Sequence, residues 1–284
     1  MMRNDFAVFI LTHGRPDNIK TLQALKNGNY TGKIYIVIDN EDKTAEQYYN
    51  LYGDKVVMFD KKKMAEKCDT ADNFGNRKVI LFARNVCFEI AKEKGLQYFL
   101  ELDDDYKNFR YRYEKDGKLM TTDDCKDLDG LFLHMIDFLD TTNAATVALA
   151  QGGDFIGGLN GGKFKKRCLR KAMNTFFCNV DKPFQWQGTI NEDVNTYTLE
   201  GSRGKLFLSI TSAMVHQGDT QQSKGGMTET YLENGTYLKS FYSVVFMPSA
   251  VKVAVMQTSH RRIHHTVNWN NCCPKILNEK WKKT

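Results

Sequence analysis

Short apolar runs alternate with amphipathic segments along the first 105 residues of the chain. The runs have the length and continuous apolar character of strands that are buried on both faces, and the segments between them carry apolar residues at helical spacing. The pattern predicts strands at 6–11, 34–38, 56–59 and 98–102, helices at 17–26, 44–52 and 79–94, and a loop at 61–78. This alternation predicts an α/β fold, with an open and mostly parallel sheet flanked by helices.

Polar residues follow each predicted strand at the point where it ends. They are Thr12-His13-Gly14-Arg15 after the first strand, Asp39-Asn40 after the second, Asp60 after the third and Asp103-Asp104-Asp105 after the fourth. Because the carboxyl ends of the strands in an open α/β sheet line one crevice, and ligands bind there, we expect these four segments to meet at one site.

The second half of the chain is less regular. Alternating aromatic and charged residues around an Asp-Gly turn at 116–117 predict a β-hairpin. A helix is predicted at 125–139 and a buried strand at 146–150, which leads into a glycine-rich run at 152–162. With four prolines and no low-complexity stretch, residues 1–284 are predicted to form one domain with a more mixed second half.

Composition narrows the class of protein. The 284 residues are 42% hydrophobic and 26% charged, which are ordinary globular values. No apolar run approaches the roughly 18 residues of a membrane span, and the N-terminus has no signal-peptide pattern, so we expect a cytoplasmic protein without membrane contact. The seven cysteines are scattered without a Cys-x-x-Cys pair, and we expect them to be reduced thiols.

The net charge of +6 is unevenly distributed. Residues 1–150 contain 22 basic and 25 acidic side chains, whereas residues 151–284 contain 18 basic and 9 acidic ones. A basic second half is typical of a protein with a polyanionic partner, and the alternative is a cationic surface that serves only solubility.

The three consecutive aspartates are the first candidate for chemistry. Asp103, Asp104 and Asp105 repel one another unless a hard divalent cation, which prefers oxygen ligands, lies between them. In an extended chain Asp103 and Asp105 point the same way. The alternative is a solvated acidic turn, but the position at the end of a buried strand favours a site.

Two further motifs, together with the aspartate run, carry a resemblance to a known family. Ala83-Arg84-Asn85 lies on a predicted helix before the strand that ends in Asp-x-Asp, and Glu192-Asp193 lies at a predicted helix start. In this order the motifs resemble those of GT-A glycosyltransferases. The resemblance implies a UDP-sugar donor and a Mn²⁺ or Mg²⁺ ion, with residues 1–107 as the nucleotide-sugar-binding half and residues 108–284 as the acceptor-binding half.

The resemblance also implies roles for individual residues. Asp193 would be the general base of an inverting reaction, with Glu192 as the second candidate. The donor would be contacted by Thr12, His13, Arg15, Asp39, Arg84, Asp103, Asp104, Gly152 and Gly153. The metal would be held by Asp103, Asp105 and His216. Two alternatives stay open: His216 as a structural histidine, and Glu192 and Asp193 as ordinary acids in a first helical turn capped by Asn191.

The hairpin after Asp105, the glycine-rich run and the segment 214–219 resemble one branch of that family. This branch contains base J glucosyltransferase and phage enzymes, which glycosylate 5-hydroxymethylpyrimidines in DNA. The resemblance therefore implies that the acceptor is the hydroxyl of 5-hydroxymethylcytosine or 5-hydroxymethyluracil.

A basic cluster follows the glycine-rich run and suits a DNA acceptor, because lysine and arginine neutralise phosphates. The candidate DNA-binding residues are Lys163, Lys165, Lys166, Arg167, Arg170, Lys171, Arg261 and Arg262. Phe164 lies among them and is a candidate for stacking on a base. The terminal basic segment 280–283 is read as a solvated tail, and segment 217–226 as either a lid over the donor or a plain surface loop.

Three other functions are compatible with the residues alone. A glycosyltransferase with a non-DNA acceptor would use the same donor site. A metal-dependent nuclease or nucleotidyltransferase would also combine clustered acids with basic patches. A non-catalytic nucleic-acid-binding module would leave the acids as surface.

Overall fold

A computed structural model describes residues 2–72, 75–161, 163–217, 238–256 and 262–272. The strands are β1 (Phe6–Leu11), β2 (Lys33–Asp39), β3 (Val56–Phe59), β4 (Tyr98–Asp103), β5 (Tyr106–Lys115), β6 (Lys118–Asp124), β7 (Thr146–Ala150), β8 (Cys168–Leu169), β9 (Phe176–Asn179), β10 (Phe207–Gln217), β11 (Val251–Met256) and β12 (Arg262–Val267). The helices are α1 (Lys20–Asn27), α2 (Ala45–Tyr52), α3 (Lys61–Ala65), α4 (Leu81–Glu93), α5 (Leu128–Thr142) and α6 (Glu192–Ser202), and residues 238–246 are also helical.

Ten of the described strands form one sheet that runs through both halves of the chain. Strands β3, β2, β1 and β4 are adjacent in that order and pair in parallel, so their carboxyl ends share one edge. Every residue of β1 is buried, because the strand is covered on both faces. The four predicted strands of the first half are therefore confirmed.

The second half of the sheet is mixed. Strand β9 pairs antiparallel with both β4 and β7 and so joins the two halves. The long strand β10 pairs in parallel with β7 and antiparallel with β5. The predicted hairpin is confirmed as β5–β6, and the left-handed backbone of Asp116 (φ 51) and Gly117 (φ 70) is the type I′ geometry of an Asp-Gly turn. The α/β fold class, with helices flanking a large sheet, is confirmed.

Two apolar layers hold the helices to the sheet. Helices α1, α2 and α5 cover one face, where the ring of Tyr48 is fully buried. Helices α3, α4 and α6 cover the other face, where Trp186 is fully buried. Alternate residues of β1 face opposite layers, as in any sheet that packs on both sides.

Two predicted boundaries differ from the structure. The segment predicted as a loop at 61–78 begins with helix α3, because the Asp60 carboxylate caps it by accepting a hydrogen bond from the Lys63 amide at 3.0 Å. Helix α5 begins at Leu128 rather than at 125, because the Asp127 carboxylate accepts from the Gly130 amide at 2.8 Å and fixes the start there.

The C-terminal part of the described chain is a separate two-stranded hairpin, β11–β12. It packs on the rest of the molecule through Val267 and Trp269, and the Trp269 ring stacks on Tyr197 of α6 at 5.5 Å between centroids. Among the described residues, no helix is both long enough and apolar enough to cross a lipid bilayer.

Candidate active site

A cavity of about 1530 Å³ opens at the carboxyl edge of β1, β2 and β4. The structure brings most of the predicted site residues to it. Those that line it are Thr12, His13, Arg15, Asp39, Arg84, Asp103, Asp104, Asp105, Gly153, Glu192 and Asp193. The expectation that separate strand ends meet at one crevice is correct for the first, second and fourth strands. Asp60, which follows the third strand, instead caps helix α3.

At one end of the cavity, a carboxylate contacts the side-chain nitrogens of a histidine and a lysine. Asp39 at the end of β2 contacts His13 Nδ1 at 2.8 Å and Lys61 Nζ at 3.1 Å. Burial works against ionisation of Asp39, but the hydrogen bonds and charges of His13 and Lys61 outweigh it and lower the pKa of the carboxyl. Asp39 is therefore an anion at neutral pH, held in place as a hydrogen-bond acceptor.

Asp104 serves the structure of this edge. Its carboxylate accepts from Thr12 Oγ1 at 2.7 Å and lies 3.4 Å from the Arg15 guanidinium. The Tyr48 hydroxyl joins the same network, with Thr12 Oγ1 at 3.0 Å and the Arg15 amide at 2.9 Å. Burial raises the pKa of Asp104, and Arg15 and Thr12 offset part of that rise. Asp104 thus ties the end of β4 to the loop after β1.

Asp103 and Asp105 flank Asp104 and remain at the cavity. Tyr106 donates to Asp103 at 3.3 Å, and Gln217 Nε2 donates to Asp105 at 3.1 Å. Burial, together with the charges of Asp103 and Asp104, raises the pKa of Asp105 to about 6. Asp103 and Asp105 both offer hard oxygen ligands. A divalent cation bound to both carboxylates would offset their mutual repulsion.

His216 does not belong to this group, and its predicted role as a metal ligand is not supported by the structure. His216 is exposed, whereas Gln217 contacts Asp105, and the register of β10 against β5 shifts between these two residues. Within the described ranges, no cluster of three or more His, Cys, Asp or Glu side chains is arranged to hold a metal ion.

Arg84 links the aspartates to the second acidic pair. The side chain projects from α4, is buried, and lies against the rings of Phe176 at 4.6 Å and Trp186 at 5.4 Å. Its Nη2 is 3.7 Å from Asp103 and 3.3 Å from Glu192. Burial disfavours its charge, but Glu192, Asp103 and Glu101 more than compensate and raise the pKa of Arg84.

Glu192 and Asp193 begin α6, as predicted, and both line the cavity. Burial raises the pKa of Glu192 to about 7, with a further rise from Asp193 and a partial offset from Arg84. Burial also raises the pKa of Asp193, against the opposing charges of Lys239 and Arg84. Asp193 Oδ1 accepts from the Val194 amide at 2.8 Å, which orients the carboxylate and leaves Oδ2 for a ligand.

Asn191, considered as an alternative cap for this helix, occupies the N-cap position but makes no side-chain capping hydrogen bond. Asn191 has a left-handed backbone (φ 56), and its amide turns away from α6. Its Nδ2 donates to the Lys239 carbonyl at 2.7 Å and lies 3.2 Å from Ser243 Oγ and 3.4 Å from His265 Nδ1. The residue before the acidic pair thus fastens α6 to the 238–246 helix and to β12.

The turn after β7 places glycine at the cavity. Gly152 and Gly153 open a 3₁₀ turn that Gln151 and Asp154 stabilise by a reciprocal capping box. A side chain at either glycine would meet no atom within 4 Å, so both border open space, and Gly153 lines the cavity. Asp154 is buried and pairs with Lys171 Nζ at 2.5 Å.

The basic cluster is divided by the fold. Lys163, Lys166, Arg170 and Lys171 line the cavity, whereas Lys165 is exposed and Arg167 lies over the Phe164 ring at 4.3 Å. Phe164 cannot stack on a base as predicted, because it is buried with Phe155 and Met214. Arg262 lines the cavity from β12. Arg261, Gly162, residues 218–226 and the basic segment 280–283 lie outside the described residues.

Sequence reasoning missed several residues that line the site. They are Lys61, Lys239, His264, His265, Trp269 and Asn270, and Asn191 was considered only as a helix cap. Lys61 carried a usable signal, since it directly follows a strand end. The others come from segments whose mixed polar and apolar pattern gave no indication of which residues face the crevice.

Among solved structures, the fold is similar to three structures of two proteins at low sequence identity. TarS 1-349 from S. aureus has a TM-score of 0.41 and 12% identity over 76% of this chain, and this chain spans only 61% of that one. Glucosyl-3-phosphoglycerate synthase from Mycobacterium tuberculosis, with Mg²⁺ and UDP, has a TM-score of 0.46 and 10% identity over 93% of this chain and 88% of its own. The same enzyme with Mn²⁺, UDP and phosphoglyceric acid has a TM-score of 0.45 and 8% identity over 93% and 87%.

Two comparisons at the level of sequence gave different results. No curated protein matches the chain. The family model described as TET-Associated Glycosyltransferase matches residues 6–226, which include Arg84, the three aspartates and the Glu192-Asp193 pair. The match covers most of the chain and every strand of the main sheet. The chain therefore belongs to the TET-associated glycosyltransferase family.

Proposed function

We propose that the protein transfers a sugar from a UDP-sugar to the hydroxyl of a 5-hydroxymethylpyrimidine in DNA, with inversion at the anomeric carbon. The observation that carries the proposal is one cavity in which a carboxylate pair, an acid pair at a helix start and a basic rim lie together. Family membership supports the sugar transfer. The nucleobase of the donor, the DNA acceptor and inversion at the anomeric carbon are proposals.

The donor fits the end of the cavity formed by the strand ends. His13, Asp39 and Lys61 offer fixed donors and acceptors for a nucleoside, and Thr12 and Arg15 lie beside them. The diphosphate would then extend towards Asp103 and Asp105, with the sugar under the turn at Gly153. Lys171 and Lys163 line the same cavity and supply positive charge near the glycine turn.

Asp103 and Asp105 would hold a Mn²⁺ or Mg²⁺ ion, and the residues fit such an ion. Both are hard oxygen ligands, and burial, together with the charges of Asp103 and Asp104, raises the pKa of Asp105. Mg²⁺ typically binds through one or two carboxylates plus substrate phosphates, which agrees with the absence of a third side-chain ligand among the described residues. When bound, the ion would neutralise charge that grows on the leaving diphosphate.

Asp193 would act as general base. As the acceptor oxygen bonds to the anomeric carbon and the bond from that carbon to the diphosphate oxygen breaks, the hydroxyl proton passes to Asp193 Oδ2 and UDP leaves. The helix start and the Val194 amide orient the carboxylate. Glu192 is bound to Arg84 at 3.3 Å, which makes it the less available base of the two.

DNA as acceptor rests on charge and on the family. Lys163, Lys166, Arg170 and Arg262 rim the cavity, and contacts of this kind neutralise phosphates. The basic side chains belong to the half of the chain that carries the positive net charge.

Mass spectrometry of nucleosides tests the proposal. Duplexes that contain 5-hydroxymethylcytosine or 5-hydroxymethyluracil are incubated with the protein, Mn²⁺ and a panel of UDP-sugars, and an added sugar mass on one base is expected. If the UDP-sugar is hydrolysed and neither DNA gains mass, the acceptor is a molecule other than DNA. Absence of both reactions would contradict the donor as well.

Variants then separate the roles. Asp193→Asn is expected to lower kcat about 10²- to 10⁴-fold while binding of UDP with Mn²⁺ persists, because a general base contributes that much. Asp105→Ala is expected to abolish the metal dependence of UDP binding. Asp137→Asn, an exposed aspartate on α5, is the matched control and keeps full activity.

A further inference from the structure

The β11–β12 hairpin lies beyond residue 226, where the family match ends, yet it forms part of the cavity wall. Arg262 and His264 of β12, and Trp269 and Asn270 of the following turn, line the cavity. We call these four residues the hairpin wall. Of these four residues, only Arg262 belongs to the basic rim proposed above to contact DNA.

The hairpin wall stands beside the acid pair and not beside the nucleoside end. Asn191, which directly precedes Glu192 and Asp193, lies 3.4 Å from His265 Nδ1 in β12. The charge of Lys239 acts on Asp193 and on both His264 and His265. An acceptor hydroxyl within the roughly 3 Å reach of Asp193 therefore brings the group that carries it against this hairpin.

Packing makes the hairpin wall a rigid surface. The half-buried Trp269 ring stacks on Tyr197 with 23° between the planes and packs against the apolar layer that α6 covers. The rings of His264 and His265 are 4.2 Å apart, and Asn191 fixes His265. Burial lowers the pKa of both histidines, that of His265 to about 3. At neutral pH each imidazole is neutral and offers one N–H donor and one nitrogen acceptor.

The size of the cavity leaves room for this second ligand. A single small-molecule site usually measures about 300–1,000 Å³, and this cavity measures about 1530 Å³. The carboxylates lie in the cavity and not on an open face, since Glu192 is buried and Arg84 lies behind it. A base that is stacked in a duplex does not reach such a position unless it rotates out of the helix.

We propose that the hairpin wall receives the acceptor pyrimidine after it rotates out of the DNA duplex. Trp269 stacks on the base, and His264 and Asn270 hydrogen-bond to its polar edge. Arg262 contacts a flanking phosphate. The 5-hydroxymethyl oxygen, two bonds from the ring, then faces Asp193. This inference rests on the proposed function, because it assigns the acceptor pocket of the same reaction.

Two variants of the hairpin wall test the assignment. Trp269→Ala is expected to lower kcat/KM for a duplex with one 5-hydroxymethylcytosine about tenfold or more, which is the scale of one lost base stack. His264→Ala is expected to lower it about three- to tenfold, which is the scale of one lost hydrogen bond. Hydrolysis of the UDP-sugar without DNA, and binding of UDP with Mn²⁺, are expected to stay within about twofold. Trp269→Phe retains an aromatic ring on Tyr197 and is expected to fall between the wild type and Trp269→Ala, which separates stacking from folding.

The matched controls are His134→Ala and Tyr113→Ala, a histidine and an exposed tyrosine away from this cavity. Both are expected to act like the wild type. A second readout uses 2-aminopurine next to the modified base. Its fluorescence is expected to rise when the wild type binds and to rise less with Trp269→Ala.

The outcomes distinguish the two proposals. Transfer to DNA that is unchanged by both variants, or transfer with no fluorescence change in the wild type, would overturn the hairpin pocket and leave the proposed function standing. A wild type that hydrolyses UDP-sugar and modifies no DNA would overturn the proposed function, and this pocket with it.

Discussion

The guanidinium of Arg84 reaches Asp103 and Glu192 from one nitrogen while it lies against Phe176 and Trp186. Beneath it, Glu101 is buried in β4, and burial raises the pKa of this carboxyl well above its usual value. Arg84 opposes this rise, and Glu192 and Asp103 contribute more than Glu101 to the raised pKa of Arg84. Arg84 therefore sets the distance between the proposed metal ligands and the acid pair, and direct contact with the donor is not required for it to matter.

Arg84→Lys tests this positioning role. Lysine retains the charge but lacks the planar fork that stacks on rings and reaches two carboxylates, so we expect kcat to fall at least tenfold. The thermal melt is expected to shift by a few degrees only, because the buried acids keep a cation. Steady-state kinetics of Arg84→Lys and the wild type measure kcat and the KM for the UDP-sugar separately. An unchanged kcat with a raised KM would instead make Arg84 a donor-binding residue.

The acid pair predicts a pH dependence. The pKa of Glu192 is about 7 and that of Asp193 is raised, so the interacting pair loses its protons at higher pH than ordinary carboxyls. A base must be ionised to accept a proton, so kcat/KM is expected to rise with pH and to level off above about 7. A profile that is flat from about pH 5.5 to about 8 would contradict this.

The same shift affects stability with the opposite sign. An unfolded chain ionises Glu192 near its usual value of 4.5, whereas the folded chain holds the proton to about 7. The folded state binds more protons in that window, so the free energy of unfolding is expected to fall as pH rises from 4.5 to 7. Glu192→Gln is expected to flatten this fall, which thermal melts at a series of pH values would measure.

At the scale of elements, the acid pair depends on how the start of α6 is held. Three neighbouring groups surround the Asn191 amide, one from the 238–246 helix backbone, one from Ser243 and one from His265. Asn191 is buried and its backbone is left-handed, a conformation that asparagine tolerates better than most residues. One side chain thus joins the part matched by the family to the two elements that lie beyond it.

Substitutions at Asn191 separate the backbone from the amide. Asn191→Ala loses the amide bonds and places alanine in a left-handed conformation, and we expect it to lower the free energy of unfolding by about 2–4 kcal/mol. Asn191→Gly keeps the backbone unstrained and is expected to lose only the hydrogen-bond part, about 1–3 kcal/mol. Urea denaturation measures both values.

Asn143 provides the control for that pair. It is also left-handed (φ 52) but exposed at the end of α5, so Asn143→Gly is expected to leave stability within about 0.5 kcal/mol. Equal stability of Asn191→Ala and the wild type would show that the amide does not fasten α6.

The elements also show what the sequence predicts and where it fails. Strand β1 is recognisable because a continuous apolar run fits only a strand covered on both faces. Helix α3 is not, because its five residues are mostly lysine and its start is set by one capping contact from Asp60. The exposed His216 and the cavity-lining Gln217 are adjacent in the sequence, and the register of β10 against β5 shifts between them, which the local sequence does not indicate.

The same limit applies to the candidate site. Acids at strand ends are predictable, since chain direction in a parallel sheet brings them together. Phe164 and Trp269 are not, because burial of the first and cavity lining by the second depend on packing between segments distant in the chain. The hairpin β11–β12 alternates half-buried and exposed residues without a clear apolar face, so its place at the cavity has no local signal.

At the scale of the whole molecule, charge and shape are arranged along one cavity. The acids that line it come from the strand ends of the first half and from the start of α6, and exposed basic residues of the second half lie at its rim. This arrangement suits a reaction between two anionic substrates. The carboxylate end accepts a diphosphate only together with a cation, and the basic rim attracts a nucleic-acid backbone.

The salt dependence of DNA binding is the test at this scale. Each phosphate that the rim neutralises adds about −0.9 to the slope of log K against log salt. Lys166→Gln combined with Arg170→Gln is therefore expected to make that slope shallower by about two and to weaken binding to modified and unmodified duplexes alike. Binding of UDP with Mn²⁺ is expected to stay unchanged. Lys115→Gln with Lys118→Gln removes the same charge at the tip of the β5–β6 hairpin and is expected to leave the slope as it is. Since both pairs change the net charge equally, an equal effect would mean that overall charge, and not the rim, draws the DNA to the protein.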